Sequence, residues 1–387
     1  MKIPFVDLHA QYLTIKDEID KAIADVIAES AYIRGRHVDA FEQAWARTLG
    51  VRRCVSCANG TDAIYIALRG LDLKPSDEVI TSAHSWISTS ETIAQAGGRV
   101  VFCDTDAETF TIDPADIERK ITPATVGIIP VHLYGQPADM GAIMAIAKKH
   151  NLWVLEDCAQ AHLAKYNGQF VGAFGNVATF SFYPGKNLGA YGDAGCVVTN
   201  DDRLADWMAT FARHGGKGDH VMEGINSRMD GLQAAILNTK LPHLPVWTDA
   251  RRRVAALYNR LLQDVDDVIT PKVGSDRDHV YHLYVIRAEN RDALRKHLTQ
   301  AGIYTALNYP KALPFYPAYA YLGHGPKDFP AAYGNQSRIL SLPIYPEITD
   351  EAIEEVTCQI KNAFKLGPGR GPSHDVVRPV LTPTATS

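Results

Sequence analysis

Short apolar segments alternate with helix-like segments through the middle of this chain, and the alternation limits the folds open to it. From about residue 54, apolar runs of strand length recur between amphipathic stretches. The pattern predicts strands near 54–57, 78–82, 99–103, 126–131, 152–156, 178–182 and 195–199. Because strands that are separated by helices usually pair in the same direction, we expect an α/β protein with a seven-stranded, mostly parallel sheet covered on both faces.

Size and charge are typical of a globular enzyme. Of the 387 residues, 46% are hydrophobic and 21% are charged, and the net charge is −5. This balance gives no electrostatic reason to expect nucleic acid or an anionic membrane as a partner. The apolar runs are too short to span a bilayer, and the first residues lack the apolar core of a signal peptide. We therefore expect a cytoplasmic protein.

The chain has six cysteines, of which Cys54 and Cys57 form a C-x-x-C pair. No second pair at zinc-ligand spacing follows, and no thioredoxin-like βαβ pattern surrounds the first. The pair lies in a predicted buried strand, where a free cysteine packs as a small hydrophobe. The sequence therefore predicts no metal site.

A glycine-rich segment at 180–195, FSFYPGKNLGAYGDAG, presents one lysine on a tight turn. A short strand ends at a Pro-Gly break, and Lys186 follows directly. Taken alone, the segment fits an ordinary loop lysine as well as a reactive amine. A lysine that is fixed by a turn and partly buried has a lowered pKa, so its neutral form can attack a carbonyl.

A carboxylate at the end of an earlier strand favours the reactive amine. Residues 152–155 form an apolar strand that is followed by Glu156 and Asp157. Open α/β sheets bind ligands at the carboxyl ends of their strands. An aspartate and a lysine at neighbouring strand ends match the needs of pyridoxal 5′-phosphate. The lysine forms a Schiff base with the aldehyde, and the aspartate keeps the pyridine nitrogen protonated.

Several motifs follow one another in a fixed order: CANGTDAI, SAHSWIST, VHLYGQPADM, EDCAQAH, FSFYPGKNLGAYGDAG, INSRMDGLQAA and LSLPIYP. In this order the chain resembles the DegT/DnrJ/StrS family of pyridoxal-phosphate-dependent sugar aminotransferases, from about residue 3 to about residue 365. The resemblance implies the aspartate-aminotransferase-like fold (PLP fold type I), with the seven-stranded sheet in a large domain and a smaller C-terminal α+β domain. The chain looks most like members that aminate C3 of a nucleotide-linked sugar.

The expected domains are 1–245 for the large domain with its N-terminal arm, and 246–366 for the small domain. Two helices are predicted across the boundary, at about 228–242 and 245–264. The glycine-rich segment 213–224 is predicted to be a mobile loop. Residues 367–387, rich in proline, glycine, serine and threonine, are predicted to be a disordered tail.

Gly60 and Thr61 lie at a predicted strand-to-helix turn, where backbone N–H groups and the positive helix end favour a phosphate. In isolation, Asn59 and Thr61 fit helix capping equally well. The resemblance assigns this turn to the cofactor phosphate. Trp86 follows the next strand, and its ring either stacks on the pyridine or packs in the core. Its position at a strand end favours stacking.

The resemblance also places Asp157 at the pyridine nitrogen, Gln160 near the phenolic oxygen of the ring and Ser181 at the phosphate. Asn226 matches an asparagine that reaches the phosphate bound by the partner subunit, which implies a homodimer with shared active sites. His162, five residues after Asp157, either lines the pocket or is a structural histidine.

The resemblance implies a ping-pong transamination. L-glutamate gives its amino group to the cofactor, 2-oxoglutarate leaves, and the resulting pyridoxamine 5′-phosphate aminates a keto sugar. Lys186 carries the proton as general base and acid. The lysine argues against the sugar dehydratases of the wider family, in which a histidine replaces it. Other pyridoxal-phosphate activities and a regulatory protein on the same scaffold remain as alternatives.

Sugar contacts are predicted at Tyr183, Asn187, Tyr309 and His324. The C-terminal part departs from the family pattern at Asn308, Pro314 and Tyr333, where a histidine, a polar residue and an acidic residue are usual. These departures leave open the amination of another carbon, or of a sugar acid that is not linked to a nucleotide.

Overall fold

The computed structural model describes residues 2–365 of the chain. The predicted disordered tail at 367–387 lies outside the described residues. Within residues 2–365, no helix is long and apolar enough to cross a membrane.

Three helices precede the first strand: α1 (Leu8–Thr14), α2 (Lys16–Glu29) and α3 (Arg36–Leu49). Asp7 caps α1 by accepting a hydrogen bond from the backbone N–H of Ala10. Helix α3 carries apolar side chains at helical spacing, including Phe41 and Trp45, and buries them against the sheet. It ends at Gly50, where a φ of 73° suits glycine.

The sheet region contains nine strands: β1 (Arg53–Cys57), β2 (Glu78–Ser82), β3 (Arg99–Cys103), β4 (Thr125–Ile129), β5 (Trp153–Asp157), β6 (Lys165–Tyr166), β7 (Gln169–Phe170), β8 (Val177–Ser181) and β9 (Gly195–Thr199). Seven of them form one sheet in the order β1-β9-β8-β5-β4-β2-β3. Only β9 runs antiparallel to its neighbours in this sheet. The predicted seven-stranded, mostly parallel sheet is confirmed.

Both faces of the sheet are buried. Along β9, Cys196 and Val198 belong to the same apolar cluster as Trp45. Val197, which points to the opposite face, packs in the cluster that contains Ile66. The covering helices are α4 (Gly60–Gly70), α5 (Ser88–Gln95), α6 (Pro114–Lys120), α7 (Met140–His150), α8 (Asp202–Phe211) and α9 (Gly231–Lys240). Four of these begin at an Asn or Asp whose side chain accepts a backbone N–H, as expected of N-caps: Asn59, Asp113, Asp139 and Asp201.

The C-terminal part has its own small sheet and apolar cluster. The remaining strands and helices are α10 (Leu244–Leu262), β10 (Val268–Ile269), β11 (Arg277–Asp278), β12 (Tyr284–Ala288), α11 (Arg291–Gln300), α12 (Pro330–Gln336), β13 (Ile339–Leu342) and α13 (Asp350–Lys365). One sheet has the order β10-β12-β13, and β11 joins β6 and β7 in another. Short 3₁₀ helices cover Leu133–Gly135, Leu241–His243, Leu313–Phe315, Pro317–Leu322 and Pro326–Asp328. The predicted domain bounds stay a prediction.

Candidate active site

A cavity of about 700 Å³ opens where the parallel strands β2, β4, β5 and β8 end. This edge of an α/β sheet is where ligands usually bind. The cavity is lined by most of the residues that the sequence predicted for the site: Gly60, Thr61, Trp86, Asp157, Gln160, Ser181, Tyr183, Lys186 and Tyr309.

Lys186 lies in the loop between β8 and β9, and backbone contacts fix the shape of that loop. The backbone N–H of Lys186 donates to the carbonyl of Tyr183 over 2.8 Å. A Cβ at Gly189 would lie 2.3 Å from the carbonyl oxygen of Pro184, so this close approach requires glycine. Burial lowers the pKa of the Lys186 ammonium to about 8, although the Asp157 carboxylate acts in the opposite direction. The neutral amine is therefore accessible just above neutral pH.

Asp157 ends β5 and is 4% exposed. Its Oδ2 accepts a hydrogen bond from the hydroxyl of Thr89 over 2.8 Å, and its Oδ1 accepts one from the N–H of Ala159 over 3.1 Å. Among the described residues, no Lys, Arg or His nitrogen lies within 4.0 Å of this carboxylate. A buried carboxylate without a cation is costly. The position therefore suits a positively charged group that enters the cavity.

The opposite side of the cavity is built from a helix end and hydroxyl groups. Asn59 caps α4 by accepting from the N–H of Asp62 over 2.8 Å, so helix capping is the right interpretation of Asn59. The hydroxyls of Thr61 and Ser88 are 2.7 Å apart. A Cβ at Gly60 would lie 2.6 Å from the Cβ of Ser181, so glycine lets the helix end approach β8. This arrangement can bind an anion.

Trp86 and Tyr309 form an aromatic wall. Trp86 is 56% exposed and lines the cavity, which excludes simple core packing. Its ring centroid lies 5.4 Å from that of Tyr309. The hydroxyl of Tyr309 accepts a hydrogen bond from Nε2 of Gln160 over 2.9 Å. These rings give the cavity flat apolar faces with polar groups at their edges.

Two predicted sugar contacts do not line the cavity. Asn187 is 4% exposed, and its amide donates to the carbonyl of Val280 over 3.1 Å and pairs with Nδ1 of His282 over 3.2 Å. The Asn187 side chain therefore holds the loop that carries Lys186 against the segment that contains Val280 and His282. His324 packs on Phe329, with ring centroids 5.0 Å apart.

Asn226 and His162 also lie away from the cavity lining. Asn226 is exposed in the segment before α9.

His162 is fully buried, and the ring centroids of Trp45, Phe180 and Phe182 lie 5.5–5.9 Å from its own. Burial first, and the charge of Lys186 second, lower the pKa of His162 to about 3. The structure therefore places His162 in the core as a neutral side chain.

Sequence reasoning missed four residues around the cavity. The hydroxyl of Ser88 contacts that of Thr61, and the hydroxyl of Thr89 donates to Asp157. The hydroxyl-rich run SWISTS after β2 is the sequence signal that indicates these two residues. His84 and Tyr134 contact the backbone of Asn308 and Tyr309, which are more than 170 residues away along the chain. No pattern in the sequence indicates that contact.

Three side chains capable of metal binding, His132, Glu156 and Cys158, lie close together behind Asp157. Glu156 already accepts hydrogen bonds from the N–H groups of Gly172, Phe174 and Gly175, over 2.8–2.9 Å, and lies 3.1 Å from Nε2 of His132. Nδ1 of His132 accepts from the N–H of Ala138 over 3.0 Å. These contacts occupy the ligand atoms of Glu156 and His132, and the predicted lack of a metal site stays a prediction.

Comparison with known proteins identifies the relatives of this chain. The DegT/DnrJ/EryC1/StrS aminotransferase family matches residues 13–361. The pleiotropic regulatory protein of Geobacillus stearothermophilus is 46% identical over 94% of this chain and 99% of its own length. The UDP-N-acetyl-3-dehydro-α-D-glucosamine 3-aminotransferase of Acidithiobacillus ferrooxidans is 41% identical, over 94% and 98%. The crystal structure of Streptomyces venezuelae DesV in complex with a ketimine intermediate has a TM-score of 0.91 and 39% identity, over 93% and 98%.

Proposed function

We infer the substrate and the amino donor from the premise that the chain belongs to the DegT/DnrJ/EryC1/StrS aminotransferase family. The protein is a pyridoxal-phosphate-dependent sugar aminotransferase. We propose that it moves the amino group of L-glutamate to C3 of a keto sugar that is linked to a nucleoside diphosphate. The observation that carries the proposal is one cavity in which Lys186, with its lowered pKa, accompanies the buried Asp157 carboxylate.

The cavity fits the cofactor at three places. The N-terminal end of α4, with hydroxyls beside it, suits a phosphate. The Asp157 carboxylate suits a protonated ring nitrogen, since no cation of the described residues pairs with it. Lys186 suits the aldehyde. We propose that the cofactor is held by Gly60, Thr61, Trp86, Asp157, Gln160, Ser181 and Lys186.

When bound, the cofactor would supply an aldehyde carbon that takes up the amino group, with the aldehyde oxygen leaving as water, and a ring that accepts electrons from the substrate carbon. Lys186 moves the proton. With a pKa near 8, its amine can accept a proton from the substrate carbon and return it near neutral pH. Thr89 and Ala159 hold the Asp157 carboxylate in one orientation, so its charge would be preorganised for a protonated ring nitrogen.

The acceptor is argued from the aromatic wall and from the relatives. Tyr183, which is 59% exposed, lines the cavity together with Trp86 and Tyr309. Flat faces with hydroxyl groups suit a sugar ring. The Acidithiobacillus relative, by its name, acts at C3 of a UDP-linked sugar, which supports a nucleotide-linked acceptor here. Tyr333, one of the departures from the family pattern, packs on Phe315 with ring centroids 5.3 Å apart and does not line the cavity.

We further propose that the enzyme acts as a homodimer with shared sites. Asn226 is exposed and free to reach a partner subunit. The N-terminal helices and the link after α2 expose apolar side chains that a partner can cover, with Leu13, Ile27 and Ile33 each at least half exposed.

Subunit complementation tests the proposal of shared sites in a homodimer. Lys186→Ala and Asn226→Ala are each expected to be inactive. After unfolding and refolding together they should regain about a quarter of the wild-type activity, because half of the dimers are hybrid and each hybrid has one intact site.

The catalytic proposal is tested by visible absorption. The loaded enzyme is mixed with L-glutamate, and separately with UDP- and dTDP-linked 3-amino sugars as donors in the reverse direction. We expect the cofactor band to shift with L-glutamate and with at least one 3-amino sugar, and to regenerate with 2-oxoglutarate. Lys186→Ala is the matched control and should not turn over. Cofactor binding without any donor-dependent change would overturn the proposal in favour of a regulatory protein on this scaffold.

A further inference from the structure

Tyr134 joins two parts of the cavity that are distant in the sequence. It follows β4, is 3% exposed and has a φ of 60°. Its backbone N–H donates to Oε1 of Gln160 over 2.7 Å. Its hydroxyl donates to the carbonyl oxygen of Asn308. A single residue therefore contacts both the strand end that carries Gln160 and the segment that carries Tyr309.

The contact with Gln160 decides which end of the amide faces the cavity. Because Oε1 accepts the N–H of Tyr134, Nε2 is left to donate to the hydroxyl of Tyr309 over 2.9 Å. With the amide reversed, an NH₂ group would face the N–H of Tyr134 and a carbonyl would face Tyr309. The backbone of Tyr134 thus sets Gln160 as a donor toward the cavity.

The segment with Tyr309 is held from three sides. The Tyr134 hydroxyl donates to the carbonyl of Asn308. Nε2 of His84 accepts a hydrogen bond from the backbone N–H of Tyr309 over 3.1 Å. The Ser341 hydroxyl donates to Oδ1 of Asn308 over 2.8 Å. These contacts hold the backbone that carries the ring of Tyr309, whose centroid lies 5.4 Å from that of Trp86. They fix the distance between the two rings of the aromatic wall.

We propose that Tyr134 is a positioning residue for the sugar acceptor: through Gln160 and Asn308 it sets Tyr309 against Trp86. The proposal rests on the proposed function, in which the aromatic wall contacts the sugar. It assigns Tyr134 no contact with the reacting atoms. The contact with Gln160 uses the backbone N–H of Tyr134, which a change of side chain leaves in place, so the cofactor contact of Gln160 should not depend on the Tyr134 hydroxyl. The half of the reaction that uses L-glutamate should therefore depend on that hydroxyl much less than the half that uses the sugar.

The first test needs no substrate. Tyr134→Phe removes one hydroxyl, which donates to the carbonyl of Asn308 and lies 3.2 Å from Nε2 of His84, and keeps the ring and the backbone N–H. Tyr258→Phe is a matched control, since Tyr258 is fully buried and its hydroxyl also donates to a backbone carbonyl, that of Pro343, over 3.0 Å. In the apoprotein, amide hydrogen exchange in a peptide covering 306–311 should be about three- to tenfold faster in Tyr134→Phe, as for one lost neutral hydrogen bond, and unchanged in Tyr258→Phe. Equal exchange in both variants and wild type would overturn the positioning role.

The second test separates affinity from chemistry. With a reactive 3-amino sugar, Tyr134→Phe should raise the apparent dissociation constant about three- to tenfold and leave the limiting rate of the half-reaction nearly unchanged. The half-reaction with L-glutamate should keep its wild-type constants. In a Tyr309→Ala background, Tyr134→Phe should have no further effect on sugar affinity. Additive losses, or equal losses with both substrates, would overturn the proposal. If no amino sugar reacts with wild type, the proposed function fails, and the exchange measurement still decides the role of Tyr134.

Discussion

Thr89 donates its hydroxyl hydrogen to Oδ2 of Asp157 over 2.8 Å, so the first turn of α5 holds the carboxylate that ends β5. The two residues are 68 positions apart in the chain. The parallel pairing of β2, β4 and β5 brings the loop after β2 to the end of β5. Removing the Thr89 hydroxyl therefore tests whether Asp157 must be held in place for the cofactor to bind.

Thr89→Val keeps the shape of the side chain and removes the donor. A hydrogen bond to a charged group contributes about 1.5–3 kcal/mol, so affinity of the apoprotein for pyridoxal phosphate should fall at least roughly tenfold. Titration followed by absorbance measures this. Thr248→Val is the control, because that buried hydroxyl donates to the carbonyl of Leu244 within α10. Equal affinities in both variants would contradict a role for Thr89.

The neighbouring carboxylates Glu156 and Asp157 should respond differently to amidation. Glu156→Gln places an NH₂ group among N–H donors, so the free energy of unfolding should fall by about 1–3 kcal/mol. The rate per folded molecule should change little. Asp157→Asn should leave stability nearly unchanged and slow the half-reaction with L-glutamate by roughly 10² or more, since the charge that we propose for the ring nitrogen is lost. Thermal unfolding and stopped-flow absorbance, run on both variants, separate the two outcomes.

Uptake of pyridoxal phosphate by the apoprotein should follow the titration of Lys186. Burial lowers its pKa from 10.5 to about 8, so the neutral amine increases as the pH passes 8 and is nearly complete about one unit higher. The second-order rate constant should rise from pH 6.5 to about pH 9 and then level off. A rate that keeps rising through pH 10 would show an ordinary exposed lysine. Lys186→Ala should show no such titration.

Gly60→Ala should weaken cofactor binding without unfolding the protein. The added Cβ would lie 2.6 Å from the Cβ of Ser181, so α4 and β8 must separate at the proposed phosphate site. We expect at least a roughly tenfold loss of affinity for pyridoxal phosphate, because helix-end contacts depend on close approach. Gly334→Ala in α12 is the matched control, since its Cβ would meet nothing within 4 Å. A normal affinity in Gly60→Ala would contradict the assignment of this turn.

The large sheet was predictable from the sequence because its strands are short, apolar and separated by helices. Every one of the seven strands was located, with end points that differ from the structure by at most two residues. The order of the strands was beyond such reasoning, since β9 inserts between β1 and β8 through pairing that local pattern does not encode. The helix predicted at 228–242 is divided, with α9 giving way to a 3₁₀ turn where Pro242 lacks an N–H.

Residues that line the cavity were predictable where a motif placed them at a strand end or in the loop after it, as for Asp157 and Lys186. The sequence predicts a sugar contact at Asn187, but the turn directs its side chain to the carbonyl of Val280. The sequence also predicts a sugar contact at His324, but its ring packs on Phe102 and Phe329 instead. Contacts such as that of Tyr134 with Asn308 depend on how distant segments pack, and single-sequence patterns hold no record of that packing.

The pairing of β1 with β9 places a condition on synthesis of the chain. Cys57 pairs with Gly195 and Arg53 pairs with Thr199, so β1, at the edge of the sheet, has no partner strand in it until β9 has left the ribosome. At about 5–20 residues per second, the delay is roughly 7–30 s. During that interval the turn that contains Gly60 is made, but the loop that carries Lys186 is not yet in place beside it. Newly made chains should therefore gain the ability to capture the cofactor in one late step, once β8 and β9 have both emerged.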